Sequence, residues 1–124
     1  MKLFIFLAGI FLLTISAENC TKKKASAVYK GRLEVKGLCM NYTISVIDGN
    51  IDPSLVEANW TDETTKKTYS NAFALGSPCN FPASINAGDE FYFSIDTAKQ
   101  ENCAVCMAYY PTPGKKIPIK VVVK

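Results

Sequence analysis

Alternating apolar and polar residues begin at Tyr29 and predict β-strands. Between Tyr29 and Lys36 the apolar side chains fall on odd positions, and charged side chains fill the even ones, which are Lys30, Arg32, Glu34 and Lys36. After Gly37 the parity reverses, because the apolar residues are then Leu38, Met40, Tyr42, Ile44 and Val46. Successive side chains of a strand point to opposite faces. We therefore predict one long strand from Tyr29 to Ile47, bent by a β-bulge at Gly37 that restores the phase.

The same alternation predicts further strands along the rest of the chain. Residues 55–61 and 69–75 flank a charged loop, which predicts a hairpin, and residues 91–95 alternate again. Residues 103–110 are apolar throughout, which is typical of a central strand buried on both faces. Residues 117–123 predict a last strand, and Pro118 places it at a sheet edge because proline cannot donate to a ladder.

Six or seven strands in about 100 residues, with no helical period after residue 17, predict an all-β domain. Turn signals at regular spacing favour a small antiparallel barrel or a barrel-like sandwich. A long first strand kinked at glycine is what five-stranded barrels of the oligonucleotide/oligosaccharide-binding (OB) type use, so the barrel would be OB-like. The pattern does not choose between barrel and sandwich.

The first 17 residues have the layout of a secretory signal peptide. Lys2 precedes an apolar run from Leu3 to Ile15, and small residues end the segment at Ala17. The run of 13 residues is shorter than the roughly 18 that a membrane-spanning helix needs. Residues 18–26 are polar and aperiodic and predict a disordered tether, which leaves residues 27–124 as a single β domain.

Charge and histidine content narrow the range of functions. The formal net charge of +3 falls to +2 once Lys2 is removed with the signal peptide, which is too weak to indicate a nucleic-acid partner. The chain contains no histidine, which excludes catalysis by a His base and metal sites that need imidazole. We therefore expect no cofactor and no enzymatic activity.

Five cysteines in an exported chain indicate disulfides. Cys20 lies in the polar tail and is set aside, which leaves Cys39, Cys79, Cys103 and Cys106 as the disulfide candidates. In an extended segment Cys103 and Cys106 would be roughly 10 Å apart, beyond disulfide reach, so each would seek another partner. Three connectivities are open, and we favour Cys39 with Cys106 and Cys79 with Cys103. The alternative is a thiol redox pair, or half of a zinc site, built on Cys103 and Cys106.

Two tyrosines and two asparagines are candidate surface sites. Tyr92 and Tyr110 lie on the face opposite the apolar set of their predicted strands, so they are candidates for ligand binding, although core packing accounts for most aromatics in such domains. Asn41 and Asn59 head Asn-X-Thr sequons on polar strand faces and are candidate glycosylation sites.

Three segments resemble a group of small, uncharacterised exported proteins of the Bacteroidota type. They are residues 29–42, 74–79 and 103–113, about a quarter of the chain. The group implies no activity. Many members resemble lipoproteins, and this resemblance makes Cys20, followed by Thr-Lys-Lys-Lys, a candidate for lipidation. Ala17-Glu18-Asn19 departs from the usual attachment signal, in which a small residue precedes the cysteine.

These features predict an exported, disulfide-stabilised, non-enzymatic β domain that acts as a binding module or a component of the cell envelope. Its ligand would be a protein or a small molecule. A lipid on Cys20 would be its only link to a membrane. The alternative function is metal binding or thiol redox chemistry at Cys103 and Cys106.

Overall fold

A computed structural model describes residues 27–123 and contains seven β-strands. These are β1 (Val28–Lys36), β2 (Tyr42–Asp48), β3 (Glu57–Thr61), β4 (Thr68–Leu75), β5 (Glu90–Ile95), β6 (Lys116–Ile117) and β7 (Ile119–Val122). Three single turns of 3-10 helix cover Leu38–Met40, Pro53–Leu55 and Pro78–Asn80. The all-β prediction is confirmed for this part of the chain. The signal peptide, the tether and Cys20 lie outside the described residues.

The long first strand that we predicted is a hairpin of two strands. β1 and β2 pair antiparallel, with Leu33 opposite Ile44 and Lys36 opposite Tyr42. The 3-10 turn after Gly37 reverses the chain, with Cys39 and Met40 in the left-handed region at φ 58° and 63°. In an antiparallel hairpin, both strands point their apolar side chains to the same face of the sheet. The number of residues in the turn then decides whether odd or even positions of the second strand face the core, so a turn can change the parity as a bulge would. A bulge does occur, but in β1 between Leu33 and Val35.

The strands form one sheet in the order β3-β4-β2-β1-β5-β7, and β6 pairs with β4. All pairs are antiparallel except β4 with β6. The sheet is not closed into a barrel, so a barrel-like sandwich describes it better than an OB-like barrel. Between residues 27 and 123 no helix is long and apolar enough to cross a membrane.

The predicted last strand is divided at Pro118, where the chain changes partner. β6 runs parallel to β4, whereas β7 runs antiparallel to β5. The Ser77 hydroxyl lies at the junction, where it accepts from the Ile119 N–H and donates to the Ile119 carbonyl, each at 2.8 Å. The backbone of β4 therefore bonds β6, and the Ser77 side chain, just after β4, bonds the first residue of β7.

One face of the sheet encloses the core. Leu33, Ile44, Phe73 and Phe93 are fully buried, and the ring centroids of Phe73 and Phe93 are 5.6 Å apart. Gly31 lies among them, because a Cβ at that position would be 2.9 Å from the Phe93 ring. The core members of β2 and β5 are predicted apolar residues, and so is Leu33 in β1, whereas Val35, beyond the bulge, is not part of the core.

The predicted central strand at residues 103–110 is wrong. This segment has no strand structure, and residues 101–109 are exposed. Its apolar residues are two disulfide-bonded cysteines and side chains that face solvent. The apolar run therefore does not indicate a strand buried on both faces.

Candidate binding surface on the disulfide-tethered segment

Two disulfides join the segment after β5 to the rest of the domain. Cys39 is bonded to Cys106 and Cys79 to Cys103, with Cα–Cα distances of 4.9 Å and 5.5 Å. This is the connectivity that we favoured, and it confirms that Cys103 and Cys106 bind different partners. Two disulfides are consistent with an oxidising compartment.

Residues 97–109, which we call the tethered segment, depend on side chains for their attachment. Within the described part of the chain, no backbone–backbone hydrogen bond involves residues 97–111. The Asn41 amide instead donates to the Ala108 carbonyl at 2.9 Å, and the Ala108 N–H donates to Cys39 Sγ at 3.3 Å. These contacts, with the two disulfides, hold the segment against the end of the β1–β2 hairpin.

The tethered segment displays large apolar side chains. Met107 is 96% exposed, Tyr109 79% and Val105 41%, and Leu38, next to the bridging Cys39, is 66% exposed. Leu38 and Met107 each adjoin a cysteine of the same disulfide, so the bridge brings the two chain regions together. We call these four residues the apolar surface.

A cleft of about 130 Å³ lies beside Val105 of the apolar surface, and its lining also includes Thr112 and Lys116. Val105, Cys39 and Asn41 line one part of it, and Leu75 and Pro78 line another. The cleft therefore lies between the tethered segment and the end of β4. A partner that covers the apolar surface can reach into it with one small side chain.

The structure does not bring the cysteines together as a redox or metal centre. Cys103 and Cys106 are each in a disulfide with a distant cysteine, so they form no dithiol pair of their own. No group of three His, Cys, Asp or Glu side chains is placed to hold a metal ion between residues 27 and 123.

The two tyrosine candidates lie in different places. Tyr92 is on β5 opposite Lys30, whose Nζ is 5.7 Å from the ring centroid. The Tyr110 ring covers Gly37, where a Cβ would lie 2.8 Å from the ring, and its hydroxyl donates to Asp62 at 3.4 Å. Lys30 and Gly37 are about 23 Å apart along the chain, at about 3.3 Å per residue, so the tyrosines do not line one groove.

The two sequons differ in their surroundings. Asn59 is exposed on β3, at the edge of the sheet. The Asn41 side-chain nitrogen already donates to Leu38 and Ala108 carbonyls at 2.8 Å and 2.9 Å. A glycan on that nitrogen would remove one donor, so the folded structure favours Asn59. Use of either site stays a prediction.

The apolar surface as a whole was not predicted from the sequence. The sequence analysis assigned Val105, Met107 and Tyr109 to a buried strand and Leu38 to an inward face. The signal that could have placed them is the flanking sequence, since a polar stretch precedes Cys103 and prolines follow at 111 and 113. Such flanks are typical of a surface loop.

Comparison with known proteins gives no relative. No protein-family model, no curated protein and no solved structure matches this chain.

Proposed function

We propose that this protein is an exported binding domain that docks a partner protein through the apolar surface. The observation that carries the proposal is the exposure of Leu38, Met107 and Tyr109 on a segment held by two disulfides. Soluble proteins rarely expose adjoining large apolar side chains without a use for them. Binding without catalysis is the activity that we assign to the domain.

Preorganisation supports a role in docking. A free loop must lose conformational entropy when it binds, at a cost of about 0.5–1.5 kcal/mol for each immobilised side chain and more for the backbone. The bridges from Cys103 and Cys106 have already restricted the tethered segment in the folded domain. A smaller part of the favourable free energy from contacts of Met107 and Tyr109 is therefore lost to ordering the segment when the partner binds.

The chemistry of the tethered segment favours a protein over a lipid surface. The tethered segment contains one Lys, Lys99, and one acidic residue, Glu101, so it has no cluster of cations. Attachment to anionic lipid relies on clustered cations beside the apolar residues. The partner that fits is a protein with an apolar cleft deep enough for a Met and a Tyr side chain.

The compartment is part of the proposal. The signal-like residues 1–17, the two disulfides and the resemblance to exported lipoprotein-like proteins support a location outside the cytoplasm. Acylation of Cys20 would hold the domain at the cell envelope, with residues 21–27 as the spacer.

Photo-crosslinking in the native host tests the proposal. A photoreactive amino acid replaces Met107 in one variant, and exposed Lys120 on β7 in a control variant. We expect one discrete protein adduct from position 107 and none from position 120. With that purified partner, Met107→Ser and Tyr109→Ser should each weaken binding by about 2 kcal/mol, roughly 30-fold. Both residues are exposed, so the thermal midpoint should not change.

Three results would contradict a protein partner. An adduct with lipid would indicate a membrane surface instead. An adduct between two copies of the chain would assign the apolar surface to self-association. Equal adducts from positions 107 and 120 would show that the apolar surface has no specific partner.

A further inference from the structure

A second candidate site lies where β2 and β4 separate. The two strands pair only from Thr43–Ser45 to Ala72–Ala74. Beyond Ser45, β2 continues beside β1, whereas residues 68–70 of β4 continue beside β3. Asn71, with φ at 49°, lies where β4 turns away. The separation opens a recess of about 250 Å³.

The bulge in β1 directs a carboxylate into this recess. The register skips Glu34 between Leu33 and Val35, so Glu34 is the additional residue of the bulge. Its side chain is only 12% exposed and lines the recess. Bulges commonly redirect a side chain in this way. Arg32, opposite Ser45, lines the recess on the same side.

Several polar groups in the recess have hydrogen-bonding capacity to spare. Arg32 binds Glu90 at 3.1 Å but reaches Glu34 only at 3.5 Å, so Glu34 retains most of its acceptor capacity. Ser45 is 5% exposed, and its hydroxyl makes no hydrogen bond within the described residues. That hydroxyl can therefore bond a ligand or a water molecule in the recess.

The opposite wall of the recess is aromatic. Tyr69 lines it, stacked on Trp60 with centroids 6.2 Å apart and an interplanar angle of 21°. Burial raises the pKa of the Tyr69 phenol, and the negative charges of Glu34 and Asp62 act in the same direction. The phenol therefore remains a neutral hydrogen-bond donor and acceptor.

We propose that this recess binds one ring of a neutral carbohydrate. Arg32 supplies donors, Glu34 supplies acceptors, and the Ser45 hydroxyl does both, as a ligand rich in hydroxyls requires. Arg32 pairs with both Glu34 and Glu90, so the recess offers no unpaired positive charge to an anionic ligand. The Tyr69 ring offers an apolar face for the C–H side of a sugar. The volume is below the roughly 300–1,000 Å³ of drug-sized sites, so it suits a single ring.

This carbohydrate site is independent of the apolar surface. It involves neither the tethered segment nor the disulfides. Loss of partner docking and loss of sugar binding would therefore be separate results, and a failure of one proposal leaves the other to its own test.

Titration of the oxidised domain with sugars, followed by amide NMR, tests the carbohydrate site. The probes are methyl glycosides of glucose, galactose, mannose and N-acetylglucosamine at millimolar concentrations. We expect at least one of them to cause saturable shifts at the amides of Ser45, Ile47, Tyr69 and Ser70. Glu34→Gln should weaken that binding about tenfold or more, because it removes a charged acceptor.

Glu90→Gln is the matched control, since Glu90 also pairs with Arg32 but does not line the recess. Its affinity should stay within about twofold of the wild type, a difference of about 0.4 kcal/mol. If Glu34→Gln fails to fold, Ser70→Trp at the exposed rim should block binding instead. The proposal is overturned if none of the four glycosides causes saturable shifts, or if the two Gln variants bind equally.

Discussion

Ser77 and Thr43 are both buried, yet their hydroxyls have opposite surroundings. The Ser77 hydroxyl bonds both the N–H and the carbonyl of Ile119. The Thr43 hydroxyl is buried and has no hydrogen-bond partner within the described residues. A satisfied buried hydroxyl stabilises the fold, whereas an unsatisfied one costs free energy. The two residues therefore make a matched pair for measuring what one buried hydroxyl contributes.

Ser77→Ala should lower the free energy of unfolding by about 1–3 kcal/mol, because two backbone groups of Ile119 lose their partner. Thr43→Val keeps the shape of the side chain, removes the unpaired hydroxyl and should leave stability unchanged or raise it. Urea denaturation of the oxidised variants measures both effects. Equal losses in the two variants would show that the Ser77 bonds contribute nothing specific.

At the scale of elements, the tethered segment is unlike the strands around it. The strands are held by ladders and by the core, whereas residues 97–109 are held by the two disulfides and by contacts from Asn41 and Cys39. The bridges close loops of different length, with sequence separations of 67 and 24 residues. The longer loop restricts the unfolded chain more.

Replacing Cys39 and Cys106 by Ala should cost up to about 4 kcal/mol of stability, and replacing Cys79 and Cys103 up to about 3.5 kcal/mol. The first change should also release the C-terminal part of the tethered segment, since Cys39 is both its bridge and its backbone contact. NMR order parameters at residues 104–109 should then fall, while hydrogen exchange in β1, β2 and β5 stays slow. Protection lost uniformly across β1, β2 and β5 would contradict this separation.

At the scale of the whole molecule, the C-terminal residues join parts of the sheet that are far apart in strand order. β6 pairs with β4 and β7 pairs with β5, with only Pro118 between them. Ile117 and Ile119 are buried in the core from this one segment. The domain therefore depends on residues 116–122 to join β4 to β5.

Truncation after Lys115 should abolish cooperative unfolding, because it removes both pairings and two core residues. Truncation after Val122 is the control, since Val123 is fully exposed. Near-ultraviolet circular dichroism and urea titration distinguish the two chains. A cooperative transition with an unchanged midpoint in the shorter chain would show that β1 to β5 fold without β6 and β7.

Much of the fold was available from the sequence because alternation records which side of a strand is buried. Tyr42, Ile44 and Val46 on β2, and Phe91 and Phe93 on β5, face the core as the pattern predicts. The β3–β4 hairpin and the four bridging cysteines follow from equally local signals, which are a charged loop between two alternating runs and an oxidising destination.

Tertiary structure alone decided the direction of the chain and the exposure of its apolar residues. The switch of apolar residues from odd to even positions at Gly37 fits either a bulge within one strand or a turn between two strands. Both leave the apolar side chains of residues before and after Gly37 on the same face of the sheet. An apolar run at residues 103–110 looks the same whether a sheet covers it or disulfides hold it in solvent. The recess beside Glu34 depends on where β4 leaves β2, which is set by long-range pairing that one strand's sequence does not encode.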